Sequence, residues 1–274
     1  MILTATEQAL GVGVGCSAYV TSGMAGDIFR VWLRDGRTAI VKTARPERPT
    51  DFSSEAHALG MLAATNTVPV PEVLGVGADC LVMADLGSIE QTPTDAQWAI
   101  LGAQLGQLHW EEGPHLGYVG SDTPVDPDET WADFWACRIR ELTRLWRNPE
   151  VLTDDDLAGI ERIIKVYGPQ VPPSKPILCH GDLWRNNVHL GDDGRLYVID
   201  PSLDYSHPEA DLATTRINGP FPEVFYAGYR NTHPLADDWE TRLPLYLLKE
   251  LLGMTAQIAH EPSLRLLREF AAKA

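Results

Sequence analysis

A carboxylate at Asp182, a carboxamide five residues on at Asn187 and a second carboxylate at Asp200 are oxygen donors of the kind a hard divalent cation takes when it carries a nucleotide triphosphate. They stand in the stretch His180-Gly181-Asp182-Leu183-Trp184-Arg185-Asn186-Asn187 and, after a Gly-Asp-Asp-Gly turn, in Leu196-Tyr197-Val198-Ile199-Asp200-Pro201. That spacing points to phosphoryl transfer. On a tight loop Asp182 would accept the proton of an attacking hydroxyl. Asn187 and Asp200 would bind one or two magnesium ions, which keep several waters and take few protein ligands. The alternative is that all three are ordinary turn and strand-end residues. Each alone suits that reading, whereas the three together, with a hairpin between them, favour catalysis.

Such a site needs elements to carry it. Residues 27–34 and 37–43 are β-rich runs joined by Asp35-Gly36, which predicts an antiparallel pair with a two-residue turn. On the second run Lys42 follows Ala39, Ile40 and Val41, where a half-buried ammonium requires a reason. Reaching the α- and β-phosphates supplies one, and Glu55, early in an amphipathic segment over 52–64 with Leu59 and Leu62 on one face, is the carboxylate to orient it. The alternatives are a snorkelling lysine and a favourable first-turn acid. Two small-residue clusters, Gly11 to Cys16 and Ser22 to Gly26, precede these strands, and either suits close approach of backbone amides to phosphate. The prolines at 69 and 71 make 68–74 extended, and 80–84 reads as a short buried strand. Thr92-Pro93 predicts a helix start, continued by Trp98, Leu101, Leu105 and Leu108. Trp131, Trp135, Leu142 and Trp146 mark a second helix, and Thr153 with Asp156 forms a capping-box pattern for a third that stops at Gly168. Further helical runs follow near 222–230, 239–259 and 263–272.

The loop His-Gly-Asp-Leu-Trp-x-x-Asn resembles the catalytic loop of the fructosamine kinase (ketosamine 3-kinase) family, itself related to aminoglycoside phosphotransferases and more distantly to protein kinases. The likeness continues through Asp200-Pro201-Ser202, His207-Pro208-Glu209-Ala210-Asp211-Leu212-Ala213 and Arg242-Leu243-Pro244-Leu245-Tyr246. It implies an α+β, bilobal protein-kinase-like fold: a small antiparallel-sheet lobe over residues 1–85 that binds ATP, and a larger helical lobe over 86–274 with the catalytic loop and substrate site. It also implies that backbone groups at Ala84 to Leu86 meet the adenine edge and that His180 and Asp211 support the catalytic loop. The acceptor would be an amine-linked sugar adduct such as a fructosamine or ribulosamine. Trp184 then offers an aromatic face or packs between elements, while Asp204, His207 or Glu209 meets the amine or hydroxyls. Arg185 contacts the γ-phosphate or a substrate carboxylate, or is solvated. Three features depart from the family pattern: Trp-Arg-Asn-Asn replaces the usual Trp-Ser-Gly-Asn, the loop over 117–124 is short, and the glycine-rich segment is long. Two alternatives stand beside this reading, an aminoglycoside or natural-product phosphotransferase and a catalytically silent, nucleotide-binding pseudokinase.

Composition narrows the field further. With 274 residues and 44% hydrophobic content the chain can fill one large or two modest cores. A formal charge of −16 repels nucleic acid and anionic lipid and suits a cationic acceptor. The four cysteines lack zinc or disulfide spacing, which fits a reducing cytoplasm, and no apolar run has the length of a membrane span.

Overall fold

The structure, a computed structural model, describes residues 2–23, 26–45, 50, 52–88, 91–119, 126, 129–146 and 150–274. Met24 and Ala25 of the second small-residue cluster and residues 120–124 of the short loop lie outside the described residues. In chain order the elements are α1 (Ile2–Leu10), β1 (Val14–Ser22), β2 (Asp27–Leu33), β3 (Thr38–Thr43), α2 (Ser53–Thr65), β4 (Val73–Val76), β5 (Cys80–Ala84), α3 (Asp95–Leu108), β6 (Gly117–Tyr118), α4 (Trp131–Leu145) and α5 (Asp154–Tyr167). They continue as β7 (Ile177–Cys179), β8 (Val188–Leu190), β9 (Leu196–Val198), β10 (Asp204–Ser206), α6 (Pro208–Thr214), α7 (Glu223–Arg230), α8 (Leu243–Tyr246), α9 (Leu248–Ile258) and α10 (Glu261–Lys273). The chain divides into two compact units: Met1–Leu108 with Asn186–Ser202 and Pro222–Thr232, and His109–Arg185 with Leu203–Phe221 and His233–Ala274.

The first unit is built on an antiparallel sheet in the order β1-β2-β3-β5-β4. Strand β5 alternates between two cores, as a strand buried on both faces must. Cys80 and Val82 join Val14, Val31, Leu33, Ala39 and Val41 under α1, whereas Leu81 and Met83 pack with Phe52 and Leu59 under α2. Lys42 stands opposite Leu81 in the β3–β5 register, so its side chain emerges on the α2 side. Helices α3 and α7 approach so closely that a Cβ on Gly102 would lie 1.9 Å from the Phe225 carbonyl oxygen, and one on Gly228 would lie 2.0 Å from that of Ala99. Helix α3 starts two residues later than Thr92-Pro93 suggests. Thr94 closes it: its Oγ1 accepts from the Gln97 N–H at 3.4 Å, and the Gln97 side chain accepts from the Thr94 N–H at 2.8 Å, a capping box that outcompetes the proline start.

The same local rule closes two hairpins of this unit. In β2–β3 the Leu33 N–H donates to Arg37 O and the Gly36 N–H to Leu33 O, with Gly36 at φ +91. In β8–β9 the Gly191 N–H donates to Arg195 O and the Gly194 N–H to Gly191 O, with Gly194 at φ +81. Both are therefore three-residue loops ending in a left-handed glycine, rather than the two-residue turn that Asp-Gly alone suggests. The reason lies in the shared Asp-Gly-Arg. Asp35 accepts from the Arg37 N–H at 3.1 Å, and Asp193 accepts from the Arg195 N–H at 3.1 Å.

The second unit holds a three-stranded sheet, β6-β10-β7, and six helices among its described residues. Trp131, Trp135 and Ile139 of α4, Ile160 and Ile163 of α5, and Leu248, Leu251 and Leu252 of α9 share one core. Thr130 caps α4, and Thr153 with Asp156 forms the capping box of α5. Helix α5 ends at Tyr167 with Gly168 as its C-cap, where the sequence places the stop; Gly168 keeps φ −52 and leads into a short 3-10 turn at Gly168–Gln170.

Candidate functional site

Within the first unit, β3 delivers Lys42 and the first turn of α2 delivers Glu55. The Lys42 ammonium, 6% exposed, donates to Glu55 Oε1 at 2.6 Å and also to Asp200 Oδ1. Burial works to strip the Lys42 proton, but the charges of Asp200 and Glu55 outweigh it and hold its pKa above the usual value. Glu55 shares that one cation with a second acid, so burial and the neighbouring Asp200 keep its carboxyl above the ordinary range. Asp200 adopts φ +56, a left-handed conformation that costs a non-glycine residue about 1 kcal/mol or more. Asn187, 5% exposed, reaches the same place through the β8–β9 hairpin: Val188 pairs with Val198, and the Ile199 N–H donates to Asn187 O at 3.0 Å. An amide oxygen and a carboxylate at one end of one hairpin are donors that fit a magnesium ion.

The segment after β5 in this unit is also fixed. Arg30 Nη2 donates to Asp85 Oδ1 at 2.9 Å and to Gly87 O at 2.6 Å. Gly87 has φ +104, a backbone conformation that would strain any side chain, and a Cβ there would lie 2.1 Å from the Asp192 carboxyl carbon, which would have to move. The Ala84 N–H donates to Glu72 O at 2.8 Å and the Leu86 C=O accepts from the Asp192 N–H at 2.9 Å. Those two backbone groups thus hold the segment to the fold.

The loop that bears Asp182 begins in the second unit at the end of β7. Asp211 of α6 accepts from the His180 N–H at 2.7 Å through Oδ2 and from the Gly181 N–H at 2.8 Å through Oδ1. Lys249 of α9 donates to the Gly181 C=O at 3.1 Å, and Thr214 Oγ1 donates to the Leu183 C=O at 2.7 Å. Backbone groups on both sides of Asp182 are thus pinned. Burial would raise the Asp211 carboxyl, yet the His109 ring, His180 and the Gly181 N–H overcome it and leave its pKa below the ordinary value. Asparagine at 211 keeps one acceptor oxygen and turns an amino group toward a backbone N–H. Asp211→Asn is therefore expected to cost about 2–4 kcal/mol of stability and to slow turnover, read by urea unfolding and product release. A variant as stable and active as the parent would remove the brace.

His109, Cys179 and Asp211 bring ligand atoms within 4.8 Å of one another, and each already has a partner: His109 Nε2 lies 3.3 Å from Asp211 Oδ2, and the Cys179 thiol donates to His207 O at 3.7 Å. Both Asp211 oxygens already take backbone N–H groups, and burial pushes the Cys179 thiol well up, keeping it neutral.

The acceptor candidates divide. Trp184 and Arg185 are half-buried, and burial lowers the Arg185 pKa. His207 and Glu209 are corrected from acceptor contacts to interior groups. Glu209 takes Arg242 Nε at 2.7 Å on Oε2, Arg242 Nη2 at 2.7 Å on Oε1 and the Tyr246 hydroxyl at 2.9 Å. His207 caps α6 through Nδ1, which accepts from the Glu209 N–H at 3.2 Å, and burial drives its imidazole down to about 4. Their polar character in a loop next to Asp200 suggested exposure. A cap and a buried ion pair consume it instead. Asp204 is half-buried with Oδ1 out of contact with solvent, and Lys249 escaped the sequence reading altogether because nothing local in α9 marks it.

Residues 8–262 match the sequence profile of the family described as Fructosamine kinase. Proteins named Probable ketoamine kinase from Escherichia coli and Thermus thermophilus are 33% and 35% identical to this chain over 242 and 236 residues, covering 83% of it in each case and 83% and 84% of the relatives. A crystal structure described as a candidate fructosamine-3-kinase from Thermobifida fusca has TM-score 0.85 at 28% identity, covering 100% of this chain and 99% of its own. A spectinomycin phosphotransferase solved with ADP and spectinomycin shares the fold, with TM-score 0.61 at 14% identity over 98% of this chain and 93% of its own. The architecture is the α+β protein-kinase-like one of the aminoglycoside phosphotransferases.

Proposed function

The chain belongs to the fructosamine kinase family, and from that premise we propose that it transfers the γ-phosphoryl group of ATP to a hydroxyl of an amine-bearing sugar adduct of the fructosamine or ribulosamine kind. The observation that carries the nucleotide half of this reading is the buried Lys42 ammonium, held between Glu55 and Asp200 in one compact unit. A structural lysine gains little from two acids and burial. A lysine that orients phosphate oxygens needs its charge kept and its direction fixed.

In this mechanism Lys42 binds the α- and β-phosphates, Glu55 holds Lys42 in line, and backbone groups at Ala84 to Leu86 meet the adenine edge. Asn187 and Asp200 would hold magnesium, which supplies neutralisation of the charge that develops on the phosphates during transfer. Asp182 orients the acceptor hydroxyl and takes its proton at a carboxylate oxygen. His180 and Asp211 serve by fixing the backbone that carries Asp182. Residues 1–85 act as the nucleotide-binding lobe and 86–274 carry the catalytic loop and acceptor site. The compact unit of Lys42 also contains Asn187 and Asp200, so the metal ligands belong with the nucleotide side. We place the protein in the cytoplasm. Its cysteines are free thiols, and no helix among the described residues is long and apolar enough to cross a membrane.

Coupled ADP detection with a panel of ribulosamines, fructosamines, aminoglycosides and other hydroxyl acceptors tests the reading. Turnover of ketoamines alone supports it, and turnover of aminoglycosides alone replaces it. Tight nucleotide binding without turnover of any acceptor would instead identify a silent nucleotide-binding protein. Lys42→Met is expected to weaken nucleotide binding about tenfold to a hundredfold, the loss of one or more charge-assisted hydrogen bonds, measured by calorimetry on protein whose circular dichroism is unchanged. Unaltered affinity would remove Lys42 from the phosphates.

A further inference from the structure

We infer that Asp204 is the group that recognises the acceptor, its carboxylate receiving the cationic secondary amine of a ketoamine beside the loop that carries Asp182. This deepens the kinase reading above and rests on it.

Strand β10 runs between β6 and β7, and Asp204 stands directly opposite Tyr118 on one side and Cys179 on the other. Residues opposite one another in an antiparallel pair project from the same face. Cys179 is three residues from Asp182 along the chain. Lys249, whose Nζ lies 5.7 Å from the centre of the Tyr118 ring and 3.1 Å from Gly181 O, ties that face to the residue just before Asp182. Asp204 therefore lies beside the catalytic loop within a single compact unit.

What singles it out is an oxygen without a protein donor. Oδ1 of Asp204 is shielded from solvent and receives no hydrogen bond, a condition that native proteins seldom tolerate without a use for it. Neither nearby cation is committed to it. Lys249 spends its protons on Gly181 O and on Glu250 at 3.2 Å, and Arg138, stacked 5.2 Å from the same Tyr118 ring, pairs with Glu141 at 2.7 Å. Each cation has its own acid. The charge left over in this corner is that of Asp204, and the group that would complete it is a donor with one positive charge, which the amine of a ketoamine is. A neutral sugar hydroxyl supplies the donor without the charge.

The electrostatics agree with a binding role. Burial raises the Asp204 carboxyl from 3.8 to about 7, with Asp211 and Glu250 adding to the rise and Lys249 opposing it. Because the folded state holds this proton more tightly than the unfolded chain, the stability it contributes is full below pH 4 and gone above pH 7. An ionised Asp204 thus strains the free protein, and an arriving ammonium relieves that strain; below pH 7, where the carboxyl holds its proton, the ammonium displaces it.

The test compares fructosyl-glycine, the ketoamine formed from glycine and glucose, with the matched ether, in which oxygen replaces the amine nitrogen. For the parent protein kcat/KM should favour the amine. In Asp204→Asn that preference should fall by about tenfold to a hundredfold, the worth of a hydrogen bond to a charged group. The variant should also melt above the parent at pH 8, with the gap closing toward pH 4. An unchanged preference, or an equal loss on both acceptors, overturns the amine contact. So does a lower Tm at pH 8, which would make Asp204 a structural partner of Lys249. If the parent phosphorylates neither compound, the ketoamine kinase reading itself falls and takes this one with it. A parent that is active on both with a preference indifferent to residue 204 overturns the amine contact alone.

Discussion

Asp182→Asn is expected to lower kcat by about a hundredfold to ten-thousandfold, the range that a positioned general base contributes, while nucleotide affinity stays near that of the parent. Asparagine matches aspartate in size and can still accept a hydrogen bond from the acceptor hydroxyl, but it cannot take the proton. The loop around it should survive the change, because its hold comes from neighbouring backbone groups: Gly181 is gripped at its N–H by Asp211 and at its C=O by Lys249, and Leu183 at its C=O by Thr214. The nucleotide affinity should survive for a different reason. Lys42, Glu55, Asn187 and Asp200 all belong to the other compact unit, and none of the bonds that fix Lys42 involves Asp182. Product release and nucleotide titration on the same preparation give both numbers. Turnover within a few-fold of the parent would remove Asp182 from the proton transfer. A parallel fall in nucleotide affinity would make its role one of binding the metal-nucleotide rather than the hydroxyl.

The parts of the site that sequence made legible are those set by short-range rules. A buried lysine on a β-rich run implies a partner acid, and Glu55 was within reach of that inference because α2 follows β3 closely. Asp182, Asn187 and Asp200 are separated by one hairpin, so their spacing alone suggested a common use. Even the first hairpin, where Asp35-Gly36 suggests a two-residue turn, carries its correction in Arg37, which follows. The parts that stayed hidden depend on partners far along the chain. Lys249 meets Gly181 across 68 positions and Arg242 meets Glu209 across 33, and no local pattern around either residue announces them. Helix α6 has seven residues, too few for an amphipathic pattern to show that Glu209 turns inward. Polarity beside Asp200 therefore suggests exposure in the sequence, whereas the α6 cap and the Arg242 pair use it in the fold.

That hidden pair should dominate the stability of the second unit. Arg242→Met is expected to cost about 3–5 kcal/mol, the loss seen when one partner of a buried ion pair is removed, and to lower Tm by about 10 °C on the scale of a chain this size. Arg242 and Glu209 have side chains 4% and 6% exposed, and the bidentate geometry places one guanidinium nitrogen on each carboxylate oxygen. Removing the guanidinium leaves the Glu209 carboxylate in the interior with only the Tyr246 hydroxyl at 2.9 Å to steady it. Methionine fills most of the arginine stem, so the penalty reports charge rather than a cavity. The double variant Glu209→Gln with Arg242→Met removes the stranded charge and lets the amide keep the Tyr246 bond, so it should recover more than half of the loss. Non-additivity of that size separates a buried pair from two independent packing contributions. If the single substitution costs under about 1 kcal/mol, in the range of an exposed pair, or if the double variant is no better than the single one, then the Arg242–Glu209 pair does not carry the stability assigned to it.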